Sequence, residues 1–317
     1  MMIRALSLLL VAQLVLTAIL YWPGETGPAT RAAMLTGIDR SAVTAINISD
    51  ADGESMTLER DASLWRMPSG LPADGGKVDA LLSALLGSDP GYAIARSDSA
   101  ARRFEVADDD FERRIDIVVD GETRRVFLGS SPSFRKVHAR LDGENAVYVL
   151  DFNSYDAPTN ALGWLDRGLL AMRNLDRVAL DDREFELGDG GWLSAAGEPA
   201  NAEAMESLLT AIAGLQVSGI SDTDNETAAA AVEVLRVEGS GEGGGRVVSL
   251  LENSDAELYY LRGDAFEQLF NTSGYDAERL LEAAGQLVAE KVDDTASESV
   301  GAGEAGIESL ETGRDEA

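Results

Sequence analysis

Residues 64–87 read LWRMPSGLPADGGKVDALLSALLG, and residues 191–214 read GWLSAAGEPANAEAMESLLTAIAG. Trp65 and Trp192, Pro72 and Pro199, Ala73 and Ala200, Asp74 and Asn201, and Gly87 and Gly214 all recur 127 residues apart without a gap. Asp74 and Asn201 read as helix N-caps, and Gly87 and Gly214 as residues past the helix C-terminus. Between them Val78, Leu81, Leu82 and Leu85 match Met205, Leu208, Leu209 and Ile212. Each set falls at i, i+3, i+4 and i+7, one face of a helix. Solenoid repeats have periods of roughly 20–50 residues, so this longer spacing predicts two copies of a small domain. Each Trp is expected to be an equivalent core anchor where a hairpin meets the helix stripe.

Outward from this stretch, Asp-Gly pairs punctuate the chain. Asp52-Gly53, Asp120-Gly121 and Asp142-Gly143 each separate two strand-like runs, the signature of antiparallel hairpins. The runs are 43–48 with 56–58, 115–119 with 125–128, and 136–141 with 146–150. Residues 152–171 read as helical. In the second copy, 178–180 and 185–187 match the opening hairpin; 232–237, 247–251 and 258–261 are the next strands, and 266–270 and 277–288 read as helices. The expected fold class is α+β: an N-terminal transmembrane helix followed by two tandem duplicated modules of antiparallel sheet with packed helices. The expected divisions are an anchor at 1–22, a tether at 23–41, modules at 42–172 and 173–290, and a disordered acidic tail at 291–317.

The anchor rests on residues 3–22, IRALSLLLVAQLVLTAILYW. About 18 uncharged residues at 1.5 Å each span roughly 27 Å, close to the hydrocarbon core of a bilayer. Tyr21 and Trp22 stand at the level of an aromatic belt, and Pro23-Gly24 ends the helix. Arg4 favours a cytoplasmic N-terminus, which places the bulk of the chain in the periplasm as a single-pass inner-membrane protein. The competing reading is a cleaved signal peptide, whose apolar region is usually shorter, about 7–15 residues.

The chain has 317 residues, no Cys, and 56 acidic against 26 basic side chains, a formal charge of -30. Such a charge disfavours affinity for phosphate backbones, so nucleic acid is not an expected partner. Without Cys there are no disulfides, thiol nucleophiles or iron–sulfur sites. The acidic, small-residue-rich stretch after Val292 reads as disordered.

Four segments resemble one family. PAD…VDALLSALLG (72–87), FLGSSPSFRKVHARLDGENAVYVLD (127–151), WLDRGLL (164–170) and the strand NLDRVAL (174–180) are similar to the repeated unit of the bacterial family of domain of unknown function 4340. The likeness covers roughly residues 43–285, and the second copy departs from it in GSGEGGG. It implies a membrane-anchored envelope protein that accompanies a gliding-motility-type ABC transport system as an accessory component, with an ABC permease or another accessory subunit as partner. It supplies no catalytic residues.

The residues themselves assign no catalytic, cofactor or metal site. His138 is the one histidine, so a Ser-His-Asp site would have to use it. In Val137-His138-Ala139-Arg140-Leu141 it alternates with apolar residues and is expected to face solvent. Asp108-Asp109-Asp110 reads as a solvated loop in preference to a calcium site or a glycosidase-type dyad. Asp50-Ala51-Asp52-Gly53-Glu54 faintly resembles a calcium loop, but Ser55 stands where that loop needs Gly, so a hairpin turn is the better reading. The Gly-rich stretch 239–245 leads into a strand, where a phosphate loop would open a helix; it reads as a mobile hairpin loop. The sequons at Asn47, Asn225 and Asn271 carry no information in a bacterial host. One cluster stands out in so acidic a chain: Arg124, Arg125, Arg135, Lys136, His138 and Arg140. It reads either as internally paired or as a docking patch for an acidic partner or an anionic envelope polymer. Three functions are carried forward: an accessory or scaffold subunit of a transport complex, a periplasmic ligand-binding module, and an acidic-dyad hydrolase.

Overall fold

The computed structural model describes residues 35, 37–87, 89–221, 226–241 and 244–298, with side chains to 288. The anchor at 1–22 and most of the tether lie outside the described residues. Among those described, no helix is long and apolar enough to cross a membrane. The chain divides into two compact units, Met1–Trp164 and Leu165–Ala317, against the boundary at 172/173 read from sequence.

Unit 1 opens with β1 (Val43–Asp50), β2 (Ser55–Asp61) and β3 (Leu64–Arg66), followed by helix α1 (Gly75–Gly87). Helix α2 (Asp98–Arg103) and the two-residue strands β4 (Val106–Ala107) and β5 (Asp110–Phe111) come next. Then follow β6 (Arg113–Val119), β7 (Glu122–Leu128), β8 (Val137–Leu141), β9 (Val147–Leu150) and the short helix α3 (Ala161–Trp164). The seven-stranded sheet has the order β3-β2-β1-β6-β7-β8-β9, and every pair is antiparallel. Gly53, Gly121 and Gly143 have φ of +87°, +80° and +75°, which is why the Asp-Gly turns take glycine there.

Ile46, Ile48, Leu58, Ile115, Ile117 and Leu128 alternate along the strands and are fully buried. With Val78, Leu81, Leu82 and Leu85 of α1 they make up the main core of unit 1. The Asp74 carboxylate accepts the Lys77 amide at 3.1 Å, capping α1. Trp164, fully buried, closes the unit: its carbonyl accepts the Asp74 amide at 2.7 Å and its indole donates to the Pro158 carbonyl at 2.8 Å.

Unit 2 repeats this order. Its elements are β10 (Leu175–Leu180), β11 (Arg183–Gly188), β12 (Gly191–Ser194), α4 (Ala202–Ala213), β13 (Gly219–Ser221) and α5 (Glu226–Ala229). They continue with β14 (Val232–Gly241), β15 (Arg246–Asn253), β16 (Leu258–Gly263), β17 (Leu269–Thr272) and α6 (Gly274–Glu298). The sheet order is β12-β11-β10-β14-β15-β16-β17-β13. Apart from β13 on the outer edge, it is the unit 1 order strand for strand. The turn after each Trp recurs bond for bond: the Ala73 amide donates to Trp65 and the Ala200 amide to Trp192, both at 2.8 Å. Gly70 and Gly197 share a φ of +79°. Asn201 caps α4 through the Ala204 amide at 2.9 Å.

Four expectations are corrected. Trp65 is 4% exposed, whereas Trp192 is only half-buried, so the two are not equivalent anchors. Residues 152–171 hold one 3-10 turn and the four-residue α3; Pro158 breaks any longer helix. Residues 269–272 are a strand, because Phe270 pairs with Leu261 and is fully buried between β16 and β13. Helix α6 runs to Glu298 through Ala- and Glu-rich sequence, so it extends into the segment read as a disordered tail; residues 299–317 lie outside the described residues. The Gly-rich stretch does join two strands, but β14 continues to Gly241. A Cβ there would come within 2.2 Å of the Asn174 carbonyl, so the close strand approach requires glycine.

Candidate functional site

The six basic residues lie on β7, β8 and the connection between them. Strand β8 is buried on both faces. The main core covers one; α2, β4 and β5 cover the other, where Ala101, Val106, Ala107, Phe127 and Val147 form a second, smaller core with Phe104 and Phe111 against it. Unit 2 has a counterpart on the corresponding strands, with Ala228 of α5 on Leu251 and Tyr260.

His138 points into this second core and is 7% exposed, which corrects the solvent-facing expectation. Alternation had placed it opposite Val137 and Ala139, and it is opposite them, but that face is covered too. Its ring lies 4.2 Å from Phe104, and its Nδ1 is 3.2 Å from the Ser130 hydroxyl. Arg140, on the same face, is 6% exposed. Its Nε donates to the Val106 carbonyl at 2.6 Å, Nη1 donates to the Leu141 and Glu144 carbonyls at 3.2 and 3.0 Å, and Nη2 pairs with Asp108. Its guanidinium lies 4.7 Å over the Phe127 ring. These two side chains are committed to holding the second layer on the sheet.

Three more are ion-paired at the surface. Arg125 grips Asp116 with two bonds of 2.7 and 2.9 Å, and this hydrogen bonding raises its pKa further. Arg124 meets Glu122 at 2.9 Å, and Lys136 meets Asp151 at 2.6 Å. Arg135 is the one arginine or lysine of the six with no ion pair among the described residues. It sits in a turn closed by the Lys136 amide on the Ser133 carbonyl at 3.1 Å. Its φ of +55° is a conformation that costs a non-glycine residue energy. Phe134, beside it, is 91% exposed.

The base of this connection is rigid. The Gly129 amide donates to the His138 carbonyl at 2.9 Å, and the His138 amide to the Ser130 carbonyl at 3.0 Å. The Ser130 amide and hydroxyl both donate to Phe104, at 3.0 and 3.1 Å. Below the turn is a cleft of about 360 Å³ lined by Ala84, Phe134, Arg135, Asp151, Phe152, Asn153 and Asp156. Tyr155, 87% exposed, adjoins it. Sequence reading missed Phe134 and Tyr155; the one signal for Phe134 was a lone aromatic in the otherwise small and polar stretch GSSPSFRK.

The acidic candidates have structural occupations. Asp108 pairs with Arg140 and Asp109 with Arg102 at 3.4 Å. Asp50 accepts the amides of Asp52 and Glu54 at 3.1 and 3.0 Å and the Thr159 hydroxyl at 2.8 Å, the work of a turn residue. Among the described residues no cluster of three or more His, Asp or Glu is arranged to hold a metal. Unit 2 carries an open groove of about 410 Å³ between α4 and α6, with Glu203, Glu206, Glu282 and Arg279 on its walls. Arg279 donates to the Ala211 carbonyl at 3.5 Å at the C-terminal end of α4, where a cation suits the helix dipole.

The profile of the family described as Domain of unknown function (DUF4340) matches residues 65–234, and the chain belongs to that family. The match runs from the buried Trp of unit 1 into β14 of unit 2. No curated protein and no solved structure matches the chain.

Proposed function

We propose that this member of the family is a membrane-tethered, non-catalytic docking protein, an accessory or scaffold subunit of an ABC-type transport complex. The apolar run 3–22 anchors it in the inner membrane, and the two units, descended from one duplicated module, stand in the periplasm. The observation that carries the reading is the turn holding Phe134 and Arg135. An almost fully exposed aromatic and an arginine with no ion pair among the described residues, raised on a base of four hydrogen bonds and held in a strained conformation, suit a partner contact. Aromatic and Arg side chains dominate protein interfaces. The single imidazole supports the same reading, since its nitrogen and its ring face are both used for packing.

The test is extraction of the full-length chain in mild detergent, followed by identification of what stays bound. Recovery of permease or other membrane subunits in fixed ratio is expected. Recovery of the lone chain under several gentle conditions sinks the proposal. Alkaline phosphatase fused after residue 40 should be active, and an inactive fusion would invert the topology.

A further inference from the structure

We infer that the outer edge of β9 receives an extended segment of a protein partner as an added antiparallel strand beside Val149, and that this segment carries a carboxylate to Arg135. The inference rests on the docking reading for the existence of a partner and adds the mode of binding and the partner's chemistry.

The backbone of β9 shows where the ladder is open. His138 is the register partner of Val149. Both backbone groups of His138 are used on the β7 side, by Ser130 and Gly129. The N–H and C=O of Val149 therefore point away from the sheet. Two residues earlier, the outward groups of Val147 are met: the Ile94 amide donates to its carbonyl at 2.8 Å, and its amide donates to Ala95 at 2.9 Å. Val149 has no such partner among the described residues.

Unit 2 shows what completes such an edge. Strand β17 holds the position of β9, and β13 lies along it, with Ser221 opposite Leu269 and Gly219 opposite Asn271. The Ser218 amide donates to Asn271 at 2.8 Å. Ala95 on Val147 does the work of Ser221 on Leu269, and there the resemblance stops. Before Ile94 the chain makes no backbone hydrogen bond to Val149 among the described residues: Pro90 has no N–H, the Gly91 amide is held by Asp89 at 3.0 Å, and Gly91 has a φ of +65°. The edges at β3 and β12 are each covered by a returning segment, through the bridges Arg66–Pro72 and Leu193–Pro199. An uncovered edge is a template for another strand.

Direction and charge follow. An antiparallel strand opposite Val149 runs its N-terminal end past Asp151 toward the cleft that holds Phe134 and Arg135. Arg135 has no ion pair among the described residues in a chain of formal charge -30, so the complementary group is a carboxylate near that end of the segment.

The probe copies the strand that unit 2 uses. Three C-terminally amidated peptides based on residues 215–219 (LQVSG), which stop short of the place opposite Val147 that Ala95 fills, are added to the full-length chain: LDVSG, LKVSG, and LDVPG, whose proline removes the amide that corresponds to Ser218. Hydrogen exchange at the Val149 amide is the readout. LDVSG is expected to slow it at least ~5-fold at millimolar concentration, LKVSG to need several-fold more peptide, and LDVPG to have no effect. Arg135→Ala should erase the difference between the Asp and Lys peptides while leaving the protection. No protection by LDVSG up to its solubility limit, or equal protection by LDVPG, overturns strand addition. Equal binding of the Asp and Lys peptides to the unaltered chain overturns the carboxylate. Loss of strand addition with membrane subunits still co-purifying leaves the docking reading standing; peptide binding by a chain that always purifies alone would remove the docking reading and leave the edge site.

Discussion

The ring of His138 lies 4.2 Å from that of Phe104, tilted by 32°. This contact joins β8 to the layer made by α2, β4 and β5, and it converts the one histidine into a packing element. His138→Ala should therefore lower stability by about 2–3 kcal/mol through lost contacts and the space left beside Phe104. Thermal melting of the full-length chain checks this; an unchanged midpoint would mean that the second layer does not depend on the histidine.

The repeated tryptophans should behave unequally. Trp65→Ala is expected to cost roughly 3–5 kcal/mol, as for a buried Trp, and Trp192→Ala about half of that or less. Trp65 is also covered by Arg60, whose guanidinium lies 4.7 Å over its ring. Equal losses in denaturant titrations of the two variants would restore the equivalence that the sequence suggests and the structure does not show.

That difference marks how far the sequence was legible. The backbone around each tryptophan could be read closely: both caps, both stripes and the Asp-Gly hairpins lie where spacing put them, because each is a local device. Side-chain burial was not, because it depends on what covers the far face of a sheet. Trp192 and His138 were misjudged in opposite directions for this one reason. Nothing in residues 98–111 announces that they fold over β7 and β8. The basic cluster was visible as composition, yet its residues divide between two faces and a turn, and only cross-strand register shows that Arg125 meets Asp116 and Arg140 meets Phe127. The strand at 269–272 was lost to a helix because Phe266 and Phe270 share helical spacing, while their pairing partners lie elsewhere in the chain.

Gly129 should tolerate no side chain. A Cβ at this position would lie 2.1 Å from the Phe104 carbonyl and 2.2 Å from that of Glu105. Backbone must move to admit it, so Gly129→Ala is expected to cost about 1–3 kcal/mol and to raise amide exchange at Ser130 and His138. Wild-type exchange at both positions would show that the base of the turn is looser than its geometry implies.

Tyr148 gives an alkaline signature. Burial, and next the nearby Glu144 carboxylate, raise its pKa above 10.0. The folded chain therefore favours the neutral phenol, and the unfolded chain ionises first as pH passes 10. The resulting stability is fully present below pH 10 and is lost as pH rises from there through the folded pKa. Melting temperature followed across alkaline pH should fall more steeply for the native chain than for Tyr148→Phe; identical slopes would contradict a buried, neutral phenol.

The docking turn is tested most directly by the double variant Phe134→Ala, Arg135→Glu, compared with the native chain for melting temperature and for co-purifying membrane subunits. Both side chains are at the turn tip and make no ion pair among the described residues, so stability should change by no more than about 0.5 kcal/mol. Loss of bound subunits at unchanged stability is the result expected of a docking protein. Undiminished recovery of those subunits by the double variant would contradict it.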